Sequence, residues 1–390
     1  MGQTLRRTLL ALYYLAAAGA YALLLSRQSS EPLLYRYSGR YLVVLGFALS
    51  LFAAPHICRF VWKELGWKRA AFAAIPASVL AMGVYLAGSI YYYNVDATRV
   101  YDPFLQMPPA RFSITPKTEG ELRILAMGGS TTFSSTYPET LGAELQRELP
   151  DRSTTVMNAG VPWWTTKHSL INYTTYGYRL DPDIVLVMHG INDVVRSCTN
   201  EEFTIGPYND DYSHFYGATI RTAKPLTAER ALFLGLFGSA YAIINNRAVD
   251  KPVDWFRSLD PFEENLRRTV ALAASDGSRA VLLTQPTAYR FDQKDDPRYP
   301  GGFGFSFCSS WTGFTEREYP SSRSMAAVMR EANERIRRVA REQGVLLIDL
   351  EQLVPKLQAN FVDEVHHTDE IGDKIGESIA RALLDGSVIE

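Results

Sequence analysis

The sequence predicts an α/β protein with a five-stranded parallel sheet, doubly wound with helices on both faces and preceded by an N-terminal bundle of transmembrane helices. Two observations lead there. After residue 122, five short apolar runs, each too brief for a helix, alternate with stretches of helical periodicity. Such alternation is satisfied by parallel strands joined through right-handed helical crossovers. Before residue 95 the chain instead carries three uncharged runs, Thr8–Ser26, Tyr41–Cys58 and Ala70–Asn94, each reaching the roughly 18 residues that cross a bilayer core.

Taken in order, these runs predict transmembrane helices at about 8–26, 41–62 and 70–93 within a membrane domain over residues 1–94. Arg6, Arg7, Arg27, Arg36, Arg40, Arg59, Lys63, Lys68 and Arg69 lie before and between them, as membrane flanks do. The first run also admits a second reading. Arg6-Arg7, the apolar stretch and Ala20-Tyr21-Ala22 could form a signal peptide. Its length, and the Leu23-Leu24-Leu25 that follows, favour three retained spans. On either reading the part after Asn94 lies outside the cytoplasm. Residues 95–121, with Pro103, Pro108, Pro109 and Pro116, are expected to form an extended linker.

Residues 122–390 hold the α/β domain. Strands are expected at Arg123–Met127, Thr154–Asn158, Asp183–His189, Arg279–Thr284 and Val345–Leu350, and helices at Pro138–Leu149, Thr166–Arg179, Pro261–Ser275, Ser322–Gln343 and Asp369–Leu384. The helix at 261 is expected to start on an Asp260 cap with Pro261 at its first position and Glu263 three after the cap. Forty basic against forty-two acidic residues leave a net charge of -2, with no basic excess for nucleic-acid phosphates. Three cysteines without CxxC spacing form no disulfide framework and no thiol-based zinc or redox centre.

Ligands of open parallel sheets bind beyond the carboxyl ends of the strands, and four strand ends carry polar motifs. Gly128-Gly129-Ser130-Thr131-Thr132 follows the first strand. It is either a helix cap or a serine exposed on a strand-to-helix turn, its amide near a helix amino terminus. Asn158-Ala159-Gly160 and His189-Gly190-Ile191-Asn192-Asp193 end the second and third. They read as loop chemistry or as a glycine amide and an uncharged asparagine donor suited to an oxyanion. Asp363-Glu364-Val365-His366-His367-Thr368 precedes the last helix. There Asp363 with His366, or Glu364 with His367, has the spacing for a carboxylate that orients a histidine base.

Together, GGSTT, NAGV, GIND and DEVHHT resemble, in order, the four blocks of the SGNH (GDSL-like) hydrolase superfamily over roughly residues 122–386. The resemblance implies a flavodoxin-like three-layer α/β/α sandwich without metal or other cofactor. It implies a nucleophile Ser130, a base His366 in preference to His367, an orienting Asp363, and an oxyanion hole of the Ser130 and Gly160 amides with the Asn192 side chain. One position departs from the pattern. The aspartate that precedes the family's serine is here Gly129.

Two long insertions, about 196–259 and 285–320, follow the third and fourth strands and should overhang the site. Trp163, Trp164, Trp255, Tyr289 and Trp311 are candidates for stacking on a substrate ring, with a satellite hydrophobic cluster as the alternative. Cys198 and Cys308, one in each insertion, could bond in an oxidising compartment. Ala231–Asn246 is uncharged and too short to span; it suits a lid or an interfacial helix.

The expectation is therefore a membrane-anchored serine esterase acting on O-acyl, above all O-acetyl, groups of an extracytoplasmic carbohydrate. Its partners would be that ester and the lipid bilayer, with no nucleic acid. The same residues serve an O-acetyltransferase, which would need a membrane acyl-donor partner. A lipid esterase and an inactive glycan-binding subunit are the remaining alternatives.

Overall fold

The computed structural model describes residues 59, 102, 104–107, 110, 115–198, 211–215, 247–292, 308, 318–386 and 388–389. The three expected spans lie outside the described residues apart from Arg59, as do Trp311 and Ala231–Asn246. Among the described residues no helix is long and apolar enough to cross a membrane.

Seven strands form among the described residues: β1 (Leu122–Gly128), β2 (Thr154–Gly160), β3 (Ile184–Met188), β4 (Arg247–Val249), β5 (Arg279–Leu283), β6 (Glu318–Pro320) and β7 (Leu346–Ile348). Eight α-helices accompany them: α1 (Ser130–Phe133), α2 (Tyr137–Glu148), α3 (Thr166–Thr175), α4 (Ile191–Arg196), α5 (Leu259–Ser275), α6 (Ser322–Gln343), α7 (Leu350–Leu353) and α8 (Asp369–Asp385). The main sheet runs β2-β1-β3-β5-β7, parallel throughout. Its strands are the five that the apolar runs predict. All seven residues of β1 and all five of β3 are buried, as strands covered on both faces must be.

Alternation along the strands sorts the core into two layers. Leu125, Met127, Val185, Val187 and Leu282 pack with Tyr173, Phe262, Leu266, Val328 and Ile336 from α3, α5 and α6. Ile124, Ala126, Leu186, Met188 and Val281 pack with Tyr137, Leu141, Leu145, Ile375 and Ile379 from α2 and α8. Each Val, Leu, Ile, Met or Phe among them contributes roughly 1.5–3 kcal/mol on full burial, so the helices are held from the sheet outward.

Helix α6 coincides with its predicted span. Ser321 accepts the Ser324 amide at 3.1 Å, and Gly344 ends the helix at φ 65°, the left-handed position that glycine fills without strain. Helix α5 starts two residues earlier than predicted. Asp260 is drawn instead to Arg335 of α6 at 2.6 Å, and the Ser258 hydroxyl bonds to that of Ser197 at 2.7 Å. The tertiary partners outcompete the local cap.

The linker is not extended throughout. Asp102 Oδ1 accepts the amides of Phe104 and Leu105 at 2.8 and 2.9 Å, and Oδ2 accepts the Tyr176 hydroxyl at 2.8 Å. This turn seats Leu105 and Met107 against Val161, Trp164 and Phe215. The ends of the two insertions meet where β4 pairs with β6, supported by Arg247 and Glu318. Cys198 and Cys308, both buried, are bonded with their Cα atoms 5.4 Å apart.

Candidate active site

The strand order reverses between β1 and β3, which places a crevice beyond their carboxyl ends. Four of the residues singled out by the motifs gather there. Gly129 is extended at φ -90°, ψ -151° and caps α1. Ser130 opens that helix, where no preceding turn supplies an acceptor for its amide. Its hydroxyl lies 2.8 Å from His366 Nε2, and His366 Nδ1 lies 2.7 Å from Asp363 Oδ2. Asp363 Oδ1 accepts the amides of Val365 and His366, both at 2.8 Å.

Burial raises the Asp363 pKa, but the hydrogen bond and charge of His366 and the two amides prevail and hold it below the ordinary aspartate value. An ionised Asp363 draws the imidazole proton to Nδ1 and leaves Nε2 as acceptor for the serine hydroxyl.

The competing pair is used differently. His367 Nε2 meets the Ser135 hydroxyl at 2.7 Å, and that hydroxyl also accepts the Tyr137 amide at 3.1 Å. Burial and the neighbouring His366 lower the His367 pKa to about 4. Glu364 is wholly buried, and its carbonyl accepts the Ala288 amide at 2.8 Å. His367 thus ties the DEVHHT loop to the start of α2, a role the spacing does not announce.

Asn192 lies in the first turn of α4 and donates from Nδ2 to the Trp164 carbonyl at 2.9 Å; a primary amide keeps a second N–H on that nitrogen. A Cβ on Gly129 would collide with this same Nδ2. Gly129 therefore supplies space: Asn192 occupies the volume that the family's aspartate would need. Behind it, buried Asp193 accepts the Thr166 amide at 3.0 Å and hydroxyl at 2.6 Å. Burial pushes Asp193 up to about 7 and lowers neighbouring His189 to about 3.

Three expectations are corrected. The Gly160 amide, expected in the oxyanion hole, donates to Asn158 Oδ1 at 2.9 Å. That side chain also donates to the Thr132 carbonyl at 2.9 Å. What requires glycine at 160 is close approach, since a Cβ would stand 2.5 Å from the Phe133 nitrogen. Trp164 and Tyr289 are buried core residues, 0% and 1% exposed, and cannot stack on a substrate. Trp164 instead joins the Leu105 cluster, and Tyr289 the layer under α5 and α6. Trp255 is half-buried against that layer, with the Lys251 ammonium 5.8 Å from its ring centre. Trp163 is half-buried as well.

A parallel, doubly wound sheet with a serine, a histidine and an aspartate aligned at its strand ends is the framework of an SGNH-type ester hydrolase. The family profile of GDSL-like lipases and acylhydrolases matches residues 124–371, and the chain belongs to that family of enzymes acting on ester bonds.

Similar solved structures include an α/β hydrolase from the metagenome of Lake Arreo, Spain, at 17% identity over 70% of this chain and 98% of that one (TM-score 0.39). A GDSL-like lipase from Bacteroides thetaiotaomicron is 14% identical over 70% and 91% (TM-score 0.39). An acetylxylan esterase from Geobacillus stearothermophilus is 15% identical over 70% and 96% (TM-score 0.36). Comparison with curated proteins returns no match.

Proposed function

We propose that the chain is a membrane-anchored serine esterase that removes O-acyl, chiefly O-acetyl, groups from an extracytoplasmic carbohydrate. The observation that carries the chemistry is the aligned Ser130, His366 and Asp363 relay, with contacts of 2.8 and 2.7 Å. Ser130 attacks the ester carbonyl while His366 Nε2 takes its proton, and Asp363 stabilises the imidazolium that forms. The Ser130 amide and the Asn192 side chain bind the developing oxyanion. His366 then returns the proton to the leaving alcohol, and water activated by the same histidine releases the acid.

Two features support the compartment: the uncharged runs before residue 95 and the bonded Cys198 and Cys308, a pairing favoured where thiols are oxidised. Support for a carbohydrate is Trp163 on the loop after β2, which is left half-buried and is of the residue type that stacks on sugar rings.

The test is release of 4-nitrophenol from its acetate by the full chain in detergent and by Ser130→Ala, with and without a glycan acceptor. Hydrolysis that falls at least about 10³-fold in the variant and ignores acceptor supports the esterase. Acceptor-stimulated acetylation would assign a transferase, and activity confined to long-chain esters would assign a lipid substrate. Full activity in Ser130→Ala would overturn the mechanism.

A further inference from the structure

The two oxyanion donors stand on separate elements, Ser130 on α1 and Asn192 on α4, and something must set the distance between them. Gln285, immediately beyond the β5–Thr284 strand end, reaches both. It is 1% exposed. Its Oε1 accepts the Ile191 amide at 2.7 Å, and its Nε2 donates to the Thr131 hydroxyl at 3.2 Å. Ile191 opens α4 directly before Asn192, and Thr131 directly follows Ser130.

The orientation of the amide is settled by its partners. Ile191 offers only an N–H there, so the carbonyl end must face α4 and the NH₂ end α1. The bond to Ile191 also fills a gap in helix chemistry. The first amides of a helix lack intrahelical acceptors, and Gly190 at the cap has no side chain to supply one. Gln285 is in turn pinned to α6 through its backbone: its main-chain N–H donates to Asn333 Oδ1 at 2.9 Å, and Asn333 Nδ2 donates to its main-chain carbonyl at 3.0 Å. One side chain therefore clamps the nucleophile turn to the asparagine helix, referenced to the longest helix among the described residues.

We propose that Gln285 is a positioning residue for catalysis: its amide holds Ser130 and Asn192 at the separation an oxyanion needs. It touches neither substrate nor reacting atoms. This inference rests on Ser130 and Asn192 acting as proposed above. Loss of serine-dependent hydrolysis in the wild type would sink that parent reading, whereas the comparison below concerns Gln285 alone.

The experiment is a double-mutant cycle in the full chain with 4-nitrophenyl acetate, using Gln285→Leu, Asn192→Ala and the pair. Gln285→Leu is expected to lower kcat by about 10- to 100-fold, the effect of misplacing a group by an ångström, with KM within about twofold. Asn192→Ala, worth about 100-fold or more in the wild type, is then expected to cost under about fivefold in the Gln285→Leu background, because its donor is already misplaced. Losses that multiply in full would overturn the proposal and leave Gln285 a structural residue. Should Gln285→Leu not fold, Thr131→Val deletes the acceptor at the other end of the clamp while the cap on α4 stays. There, coupling to Asn192→Ala above about threefold supports the proposal and independence overturns it.

Discussion

Gly129 and Asn192 compete for one volume at the nucleophile turn. The glycine is extended, a conformation open to any residue, so the constraint is the asparagine amide packed against it. Gly129→Asp, which restores the aspartate usual in the family, is accordingly expected to impair this enzyme. The Asn192 side chain can swing away, so the thermal midpoint should stay within a few degrees while its bond to the Trp164 carbonyl is lost, and with it the oxyanion role proposed for it. We expect kcat to fall about 10- to 100-fold. Undiminished turnover in Gly129→Asp would show that Asn192 does not act from this position.

Among the elements, the turn after β2 holds a bulky residue in an uncommon backbone conformation. Trp164 donates its amide to the Val161 carbonyl at 3.1 Å, with Pro162 second and Trp163 third at φ 66°. Pro at the second position and positive φ at the third are the marks of a type II turn, which favours glycine there. A tryptophan held in the left-handed region costs on the order of 1–3 kcal/mol, and such strain collects at functional sites. Trp163→Gly suits the backbone, so the turn and its Trp164 carbonyl should persist. The expected result is activity on 4-nitrophenyl acetate within about threefold of wild type, but a KM for an acetylated oligosaccharide raised about tenfold, the order of a lost aromatic stacking contact. An unchanged KM would remove Trp163 from the substrate surface.

At the scale of the whole molecule, acid is the weakness. His168, His189, His214 and His367 all have pKa values lowered chiefly by burial, His168 well below its ordinary value and the others to about 3, 4 and 4 respectively. Unfolded histidines take up protons near pH 6.5 while these folded ones do not. Between pH 6.5 and about 4 the unfolded state binds more protons, and stability falls as pH falls, by about 1.4 kcal/mol per pH unit for each histidine.

Asp193 works in the opposite sense. Its pKa, raised to about 7 by burial, gives a contribution present at low pH and lost as pH rises through 7. One aspartate against four histidines leaves the balance with the histidines. The urea midpoint of the chain in detergent should therefore drop sharply from pH 7 to pH 4.5, less so in His367→Asn. Equal midpoints at the two pH values would contradict this account.

The features legible in the chain before folding are those that local pattern encodes. Five apolar runs bounded by turn residues placed the main strands, because burial on both faces leaves a continuous signature along a few residues. The polar motifs fell at strand ends, where a parallel sheet exposes them, and the family resemblance carried by their order implied Ser130, Asn192, Asp363 and His366. Tertiary structure fixed the roles of residues that look alike in sequence. His366 and His367 are adjacent and each has a carboxylate three before it; spacing leaves them equal and the family resemblance favours His366, while the partners, Ser130 for one and Ser135 for the other, fix what each does.

Trp163 and Trp164 are likewise neighbours, yet the turn leaves one half-buried and sinks the other. The three-residue ladder of β4 and β6 is too short to leave a periodic signal, and Gln285 gains its place from contacts 94 and 154 residues away in sequence. Local conformational preference is carried by a residue and its near neighbours, whereas the partner that a buried polar group must find is set by where the folded chain returns.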